Sequence, residues 1–251
     1  MNGRLRSGDL GLMALRASLL QSTWNYERQQ GIGWAWALEP ALARLYPDPD
    51  VRRERLAEHT AYFNTQPTLA SVALGAVAAL EERRAREGTP DADAMGRVKG
   101  VLGSSLAALG DRLFWFTLRP LAAVLGVWLA LDGRWWGALA LWLCYNVFHL
   151  GVRWLGVRWG YAAGPAVLSG GLRSRLEGGT RMLGALGAMM VGVTLAWLVA
   201  PSGNGPTMLF ESALGAGLGI GLLGALRPRP TPTEWALGLG LLCCVAAWFR
   251  G

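Results

Sequence analysis

The feature that most constrains this chain is a set of apolar runs, each long enough to reach across a lipid bilayer, concentrated in its second half. Residues 182–200 form a charge-free run of nineteen residues. At about 1.5 Å per helical residue such a run crosses the roughly 30 Å hydrocarbon core. Residues 135–152 are nearly as long and equally uncharged, and 115–131 carry only Arg119. The shorter runs 212–226 and 235–249 carry no charge and cross if the bilayer thins around them. About five transmembrane helices are therefore expected, in an all-α membrane protein surrounded by lipid bilayer. Residues 1–110 read as amphipathic and re-entrant helices, and 111–251 as the transmembrane region.

Charge supports this division. Only 16% of residues are charged and mean hydropathy is +0.28, whereas soluble chains carry about 25%. The net charge of +7 does not form the basic tail interleaved with aromatics that nucleic acid requires, so no nucleic acid partner is expected. The arginines bracket the apolar runs instead. Arg153, Arg158, Arg173, Arg175 and Arg181 separate the second run from the third, while 201–210 hold no Lys or Arg. The positive-inside rule then puts that arginine-rich connection, Arg227 and Arg229 in the cytoplasm, with the N-terminal region. The hairpin at 132–134 and the C-terminus fall outside. Trp115, Trp128, Trp135, Trp136, Trp154, Trp159, Trp197 and Trp248 lie at or near run ends, where indole is favoured.

Cys144, Cys243 and Cys244 lie inside apolar runs without metal-ligand spacing. They read as small core residues, and neither metal nor cofactor is expected. Residues 1–9 are polar, so insertion through internal spans is expected. The stretch 219–224 satisfies a dinucleotide fingerprint, but no strand precedes it and Leu239 stands where the acid belongs.

In the first half, Leu12, Leu15, Leu19 and Leu20 predict an amphipathic helix over 10–30, ended by Gly31 and Gly33. Asp48 caps a helix with Pro49 at its first position, running to about residue 63. Residues 64–67 break it. Residues 68–80 are too short to span and read as a re-entrant or buried helix. The cluster Glu81, Glu82, Arg83, Arg84 and Arg86 reads as its solvated end, with one reading as a docking point for soluble subunits, and Gly88 and Pro90 stop it. Residues 89–93 form an exposed linker. A small-residue helix over 95–109 is interrupted by Gly100 and Gly103, Asp111 caps the next helix, and Arg119-Pro120 kinks it. Gly184, Ala188 and Gly192, then Gly215 with Gly219 and Gly217 with Gly221, provide close-packing faces.

Four stretches carry a resemblance. The first is Leu20-Gln21 followed by Asn25-Tyr26-Glu27-Arg28-Gln29-Gln30-Gly31, and the second is His59 with Phe63-Asn64-Thr65-Gln66-Pro67. The third runs over 75–82 from Gly75 to the pair Glu81-Glu82, and the fourth over 103–115 keeps Gly110-Asp111 and Phe114-Trp115. In this order they resemble the IID subunit of the mannose/fructose/sorbose family of the sugar phosphotransferase system (PTS). Gln29 stands where that family usually has Met, Tyr62 where it has Phe, Ser104 where it has Pro and Ala108 where it has Gly.

The resemblance implies a membrane subunit that, with a IIC subunit, binds and translocates a hexose sugar. Phosphate reaches the sugar from a IIB protein supplied by IIA, so this chain is expected to be non-catalytic alone. His59 and His149, its two histidines, stand beside no phosphate-cradling loop and read as structural groups. Asn25, Glu27, Asn64, Thr65 and Asp111 are the candidates for the sugar path or the IIC interface, because sugar hydroxyls at membrane depth need amide and carboxylate partners. Each has a structural reading: a network at a helix end for Asn25 and Glu27, caps for Asn64, Thr65 and Asp111. Asn146, inside a span, is expected to bond between helices or to touch substrate. The alternative function is a degenerate member acting as a membrane regulatory or docking subunit without transport. A membrane enzyme of another class lacks a catalytic constellation here.

Overall fold

The computed structural model describes residues 4–131, 133–168 and 171–199, and these are all-helical apart from two isolated bridges at Asn25–Gln29 and Gln29–Phe63. The helices are α1 (Ser7–Ala17), α2 (Gly31–Leu45), α3 (Pro49–His59), α4 (Ala70–Glu87), α5 (Ala92–Gly110), α6 (Arg119–Leu131), α7 (Gly137–Ala163) and α8 (Gly171–Val199). A π-helical segment, Asp111–Leu118, joins α5 to α6 without a break, and a 3₁₀ turn, Gly164–Leu168, follows α7. Among the described residues two stretches are long and apolar enough to cross a membrane, Ala92–Ala130 and Gly137–Leu168, and they take in all but the last residue of the predicted run 115–131 and all but the first two of 135–152. Chain contacts divide the protein into residues 1–180 and 181–251. In the second unit the described residues 181–199 continue as helix. The predicted runs 212–226 and 235–249, Cys243, Cys244, and the stretch 219–224 lie outside the described residues.

The core of the first unit is built on α2 and α4. Trp34, Leu38, Leu42 and Leu45 on α2, and Val72 through Ala78 on α4, are essentially inaccessible. The helix expected at 68–80 is thus the buried alternative of that reading. The burial explains why a thirteen-residue apolar run needs no lipid.

The crossing of α4 and α7 is close because the facing residues are small. A Cβ on Gly75 would collide with the Val157 carbonyl oxygen, one on Gly160 with the Val72 carbonyl oxygen, and one on Gly156 with the Ser71 hydroxyl. Where lipid gives no hydrophobic incentive for helices to associate, such close approach is what holds them. Elsewhere α7 leaves Leu139, Trp142, Leu143, Val147, Phe148 and Trp154 exposed, apolar side chains of the kind that meet lipid or a partner helix.

Several local expectations are corrected. The helix expected over 10–30 ends at Ala17, and residues 18–23 are turns. Gly31 and Gly33 open α2 rather than closing α1. Side chains there would strike the carbonyl oxygens of Ala61 and Leu20, so glycine serves close approach and not termination. Helix α5 runs uninterrupted through Gly100 and Gly103. Asp111 therefore caps no new helix. The disruption from Pro120 is absorbed upstream by the π segment, where the Arg119 N–H reaches the Phe114 carbonyl and the Thr117 hydroxyl donates to the Arg112 carbonyl at 2.8 Å. Asp48 caps α3 as expected, accepting from the Asp50 N–H at 2.9 Å with Pro49 at the first position.

Candidate functional site

The first two sequence blocks fold into one hydrogen-bonded knot. Asn25 and Gln29 exchange backbone hydrogen bonds, the Gln29 N–H reaching the Asn25 carbonyl at 2.8 Å. The Asn25 side-chain oxygen accepts from the Arg28 N–H at 2.8 Å. The loop closes only because Gln29 adopts a left-handed φ of 53°, a conformation costly for a residue with a side chain unless its surroundings enforce it. The enforcement comes from the second block. The Gln30 N–H donates to the Phe63 carbonyl at 2.9 Å and the Phe63 N–H to the Arg28 carbonyl at 3.3 Å. The buried Gln30 amide then imitates a paired strand. Its Nε2 donates to the Thr65 carbonyl at 2.7 Å and its Oε1 accepts from the Thr65 N–H at 3.1 Å.

Replacing Gln30 by leucine strands both Thr65 backbone groups in a dry site. Each buried group left unpaired costs about 1–3 kcal/mol, so the expected loss is about 3 kcal/mol. Thermal unfolding in detergent measures it.

The fourth block and α7 complete the arrangement. A Cβ on Gly103 would sit 3.1 Å from the Asn64 carbonyl oxygen, and one on Gly110 would strike the Gln66 side chain. The Gln66 Oε1 accepts from the Thr68 and Leu69 N–H groups at 2.8 and 3.0 Å, satisfying the first turn of α4. Thr68 Oγ1 pairs with His149 Nδ1 at 2.8 Å, and His149 stacks on Tyr145 with ring centroids 5.4 Å apart. Thr65 is 4% exposed, and its hydroxyl has no hydrogen-bond partner among the described residues. A buried hydroxyl without a protein partner is uncommon.

The five candidates thus take different positions. Asn25 spends its side chain holding the loop, while Glu27 projects from it with 83% of its side chain exposed, near Arg28 at 3.8 Å. Asn64 is exposed and Thr65 buried, adjacent on the segment that Gln30 clamps. Asp111 is exposed and follows Gly110, the glycine packed on Gln66. Asn146 donates to the Trp142 carbonyl at 2.9 Å within its own helix, and among the described residues no bond from it to another helix is seen.

The third block forms a separate buried network. Glu81 and Glu82, read as a solvated helix end, are 0% and 5% exposed. Helix α4 continues to Glu87, which keeps both acids on its buried side. Tyr46 donates to Glu81 at 2.7 Å, His59 Nε2 lies 3.1 Å from it, and Arg84 reaches Glu58 at 2.7 Å and Glu81 at 3.5 Å. Lys99 Nζ donates to the His59 carbonyl at 3.3 Å and stands over the Trp34 ring. Burial holds the His59 pKa below its ordinary value despite the hydrogen bond to Glu81, with the Lys99 charge adding to the depression. Burial works to raise Glu81, but the hydrogen bonds from His59 and Tyr46 and the Arg84 charge outweigh it and hold it below its ordinary value. Neutral His59 therefore donates through Nε2, and its Nδ1 has no partner among the described residues. Sequence reasoning missed this network because its members come from α3, α4, α5 and the end of α2. The signal available was complementary charge alone: Glu81 against His59, Lys99 and Arg84.

Comparison with known proteins converges on one family. Residues 4–202 match the family described as "PTS system mannose/fructose/sorbose family IID component". The chain is 36% identical over 193 residues to the PTS system mannose-specific EIID component of Escherichia coli (strain K12), covering 74% of this chain and 68% of that one. It is 32% identical over 263 residues to the PTS system sorbose-specific EIID component of Klebsiella pneumoniae, covering 95% and 96%. It is also 32% identical over 193 residues to the fructose permease IID component of Bacillus subtilis (strain 168), covering 77% and 70%. Among solved structures it is similar to a chain of the mannose transporter ManYZ in complex with microcin E492, with a TM-score of 0.61 and 30% identity over 99% of this chain and 98% of that one.

Proposed function

This chain belongs to the IID components of the PTS mannose/fructose/sorbose family, the membrane components of mannose-family sugar permeases, and from that premise we propose how it works. It pairs with a IIC subunit in the inner (cytoplasmic) membrane, and the pair binds a hexose and carries it inward while IIB, recharged by IIA, phosphorylates it. The similarity to a ManYZ chain supports the pairing. This chain supplies no phosphorylated residue. It crosses the membrane about five times through 111–251, with 1–110 as amphipathic and re-entrant helices on the cytoplasmic side and within the complex.

Asn25, Glu27, Asn64, Thr65 and Asp111 serve the sugar path or the IIC interface, in two tiers. Asn25 shapes the loop. Glu27 and Asn64, exposed and free to exchange water for sugar hydroxyls or partner groups, make the contacts. The observation that carries this reading is the knot itself: segments 25–31 and 60–65, distant in sequence, are hydrogen-bonded into one rigid platform that leaves Glu27 and Asn64 exposed and the Thr65 hydroxyl unpartnered. A rigid platform with unsatisfied polar groups is how a transporter holds a polar solute without leaking.

The test is sugar uptake in cells carrying IIA, IIB, IIC and this chain. Glu27→Ala and Asn64→Ala are expected to reduce uptake about tenfold or more, a loss of about 1.4 kcal/mol, with normal membrane levels. Normal uptake by both removes these residues from the site.

One observation favours a second reading, a regulatory or docking subunit without transport. With Ser104 and Ala108 in place of the family's Pro and Gly, α5 is unbroken from Ala92 to Gly110, and the Ser104 hydroxyl bonds back to the Gly100 carbonyl at 3.0 Å. That reading expects no uptake from the unaltered chain with its full gene set.

A further inference from the structure

The facing ends of α4 and α7 enclose a cavity of about 450 Å³ lined by Arg4, Ala79, Glu82, Arg86, Tyr161 and Ala162. It lies apart from the knot and takes no part in the reading above. Its single acid is already engaged: Glu82 Oε2 accepts from the Leu5 N–H at 3.0 Å and from the Tyr161 hydroxyl. Its other oxygen is 3.8 Å from the Arg86 guanidinium, beyond hydrogen-bond length, and the Arg86 side chain is 56% exposed. Arg4 bonds to the Tyr161 hydroxyl, so two guanidiniums face one carboxylate and the lining keeps a net positive charge. Ala79 and Ala162 leave the floor open, and the glycine contacts of Gly75 and Gly160 fix the walls.

Depth identifies the occupant. Tyr161 lies near the end of the membrane-length stretch Gly137–Leu168, at its arginine-rich end. Trp154 and Trp159, both exposed, precede it on the same helix, the nearer by two residues, as indoles do approaching a membrane interface. A basic cavity between helices at this height meets phosphodiester head groups at high local concentration. Arginine forks suit a phosphate better than a point charge does. We propose that the cavity between Arg4, Arg86 and Tyr161 seats the phosphodiester of an anionic phospholipid, tying the N-terminal segment and the ends of α4 and α7 to the bilayer surface.

The test uses the purified complex of this chain with its IIC partner, stripped of lipid in a neutral detergent. Phosphatidylglycerol, phosphatidylcholine or inorganic phosphate is titrated while the unfolding midpoint is read. Phosphatidylglycerol is expected to raise the midpoint, with the other two inert. Arg4→Gln with Arg86→Gln is expected to weaken the phosphatidylglycerol response about tenfold. Ala79→Leu, which fills the floor and keeps both arginines, is expected to do the same. An undiminished response in both variants, or an equal response to phosphatidylcholine, overturns the proposal. Protection by inorganic phosphate alone overturns the lipid assignment and leaves a site for free phosphate.

Discussion

Gly160→Val prevents stable accumulation of the chain in the membrane, the largest effect expected of any single substitution. The first added carbon collides with the Val72 carbonyl oxygen and lies 3.0 Å from the Ala76 amide nitrogen. Both are main-chain atoms of a buried helix and have no rotamer to retreat into. Relief therefore requires α4 and α7 to separate along their whole contact, which opens the seam between the cores of the two helices. Overpacking of side chains costs about 1–3 kcal/mol, and a backbone collision lies at or above the top of that range. Against a total stability of about 5–15 kcal/mol, that is enough to send the chain to proteolysis. Gly151→Val on the same helix is the control, because nothing lies within 4 Å of its Cβ position. Membrane levels by immunoblot and unfolding in detergent read the comparison. Equal levels for the two variants would show that the close crossing is not what holds these helices.

The second large effect falls on Glu81. Its removal in Glu81→Ala leaves the half-buried Tyr46 hydroxyl, the inaccessible His59 Nε2 and part of the Arg84 charge unpaired. Breaking a buried charged pair by deleting one partner costs about 3–5 kcal/mol. Glu81→Gln retains an acceptor and loses about half as much. The network also gives stability a pH dependence of known sign. The folded state holds His59 neutral with a pKa below 6.5, so below about pH 6.5 the unfolded chain binds the extra proton. Stability from this group is full above that value and falls as pH drops toward the depressed folded value, by up to ~1.4 kcal/mol per pH unit. Glu81, held below 4.5, adds a further loss when pH falls through the acid range. His59→Gln removes the loss that begins near neutrality. The unfolding midpoint of the variant, compared between about pH 7.5 and about pH 5.5, is expected to change less than that of the unaltered chain. Parallel curves would mean that His59 titrates in the folded protein as it does in the unfolded one.

Features governed by local rules were legible in the residues. Asp48-Pro49 announces the start of α3, Gly88 with its left-handed φ of 74° closes α4, and the apolar runs at 115–131 and 135–152 match the two membrane-length stretches to within two residues. The motif stretches were also legible, and with them the family. What escaped was set by contacts between distant segments. Nothing near Gly31 distinguishes a helix-ending glycine from one that lets α2 press on the Ala61 carbonyl. Glu81 and Glu82, followed by three arginines, carry the composition of a solvated helix end. Only His59 and Lys99, 22 residues before Glu81 and 18 after it, convert it to a buried one. In the candidate site, local rules could name polar residues but not the contacts each one makes. Asn25 is consumed in holding its own loop, Gln30, which no local rule singled out, clamps Thr65, and the π segment takes the strain assigned to a kink at Pro120.

Reconstitution tests the central claim most directly. This chain and its IIC partner are placed in proteoliposomes, phosphorylated IIB and IIA are supplied on the accessible side, and radiolabelled hexose is followed into phosphate ester. Sugar phosphate is expected to accumulate only when both membrane subunits are present, and to fall about tenfold with Asn64→Ala. Full activity from IIC alone, or none from a correctly assembled pair, would contradict the account.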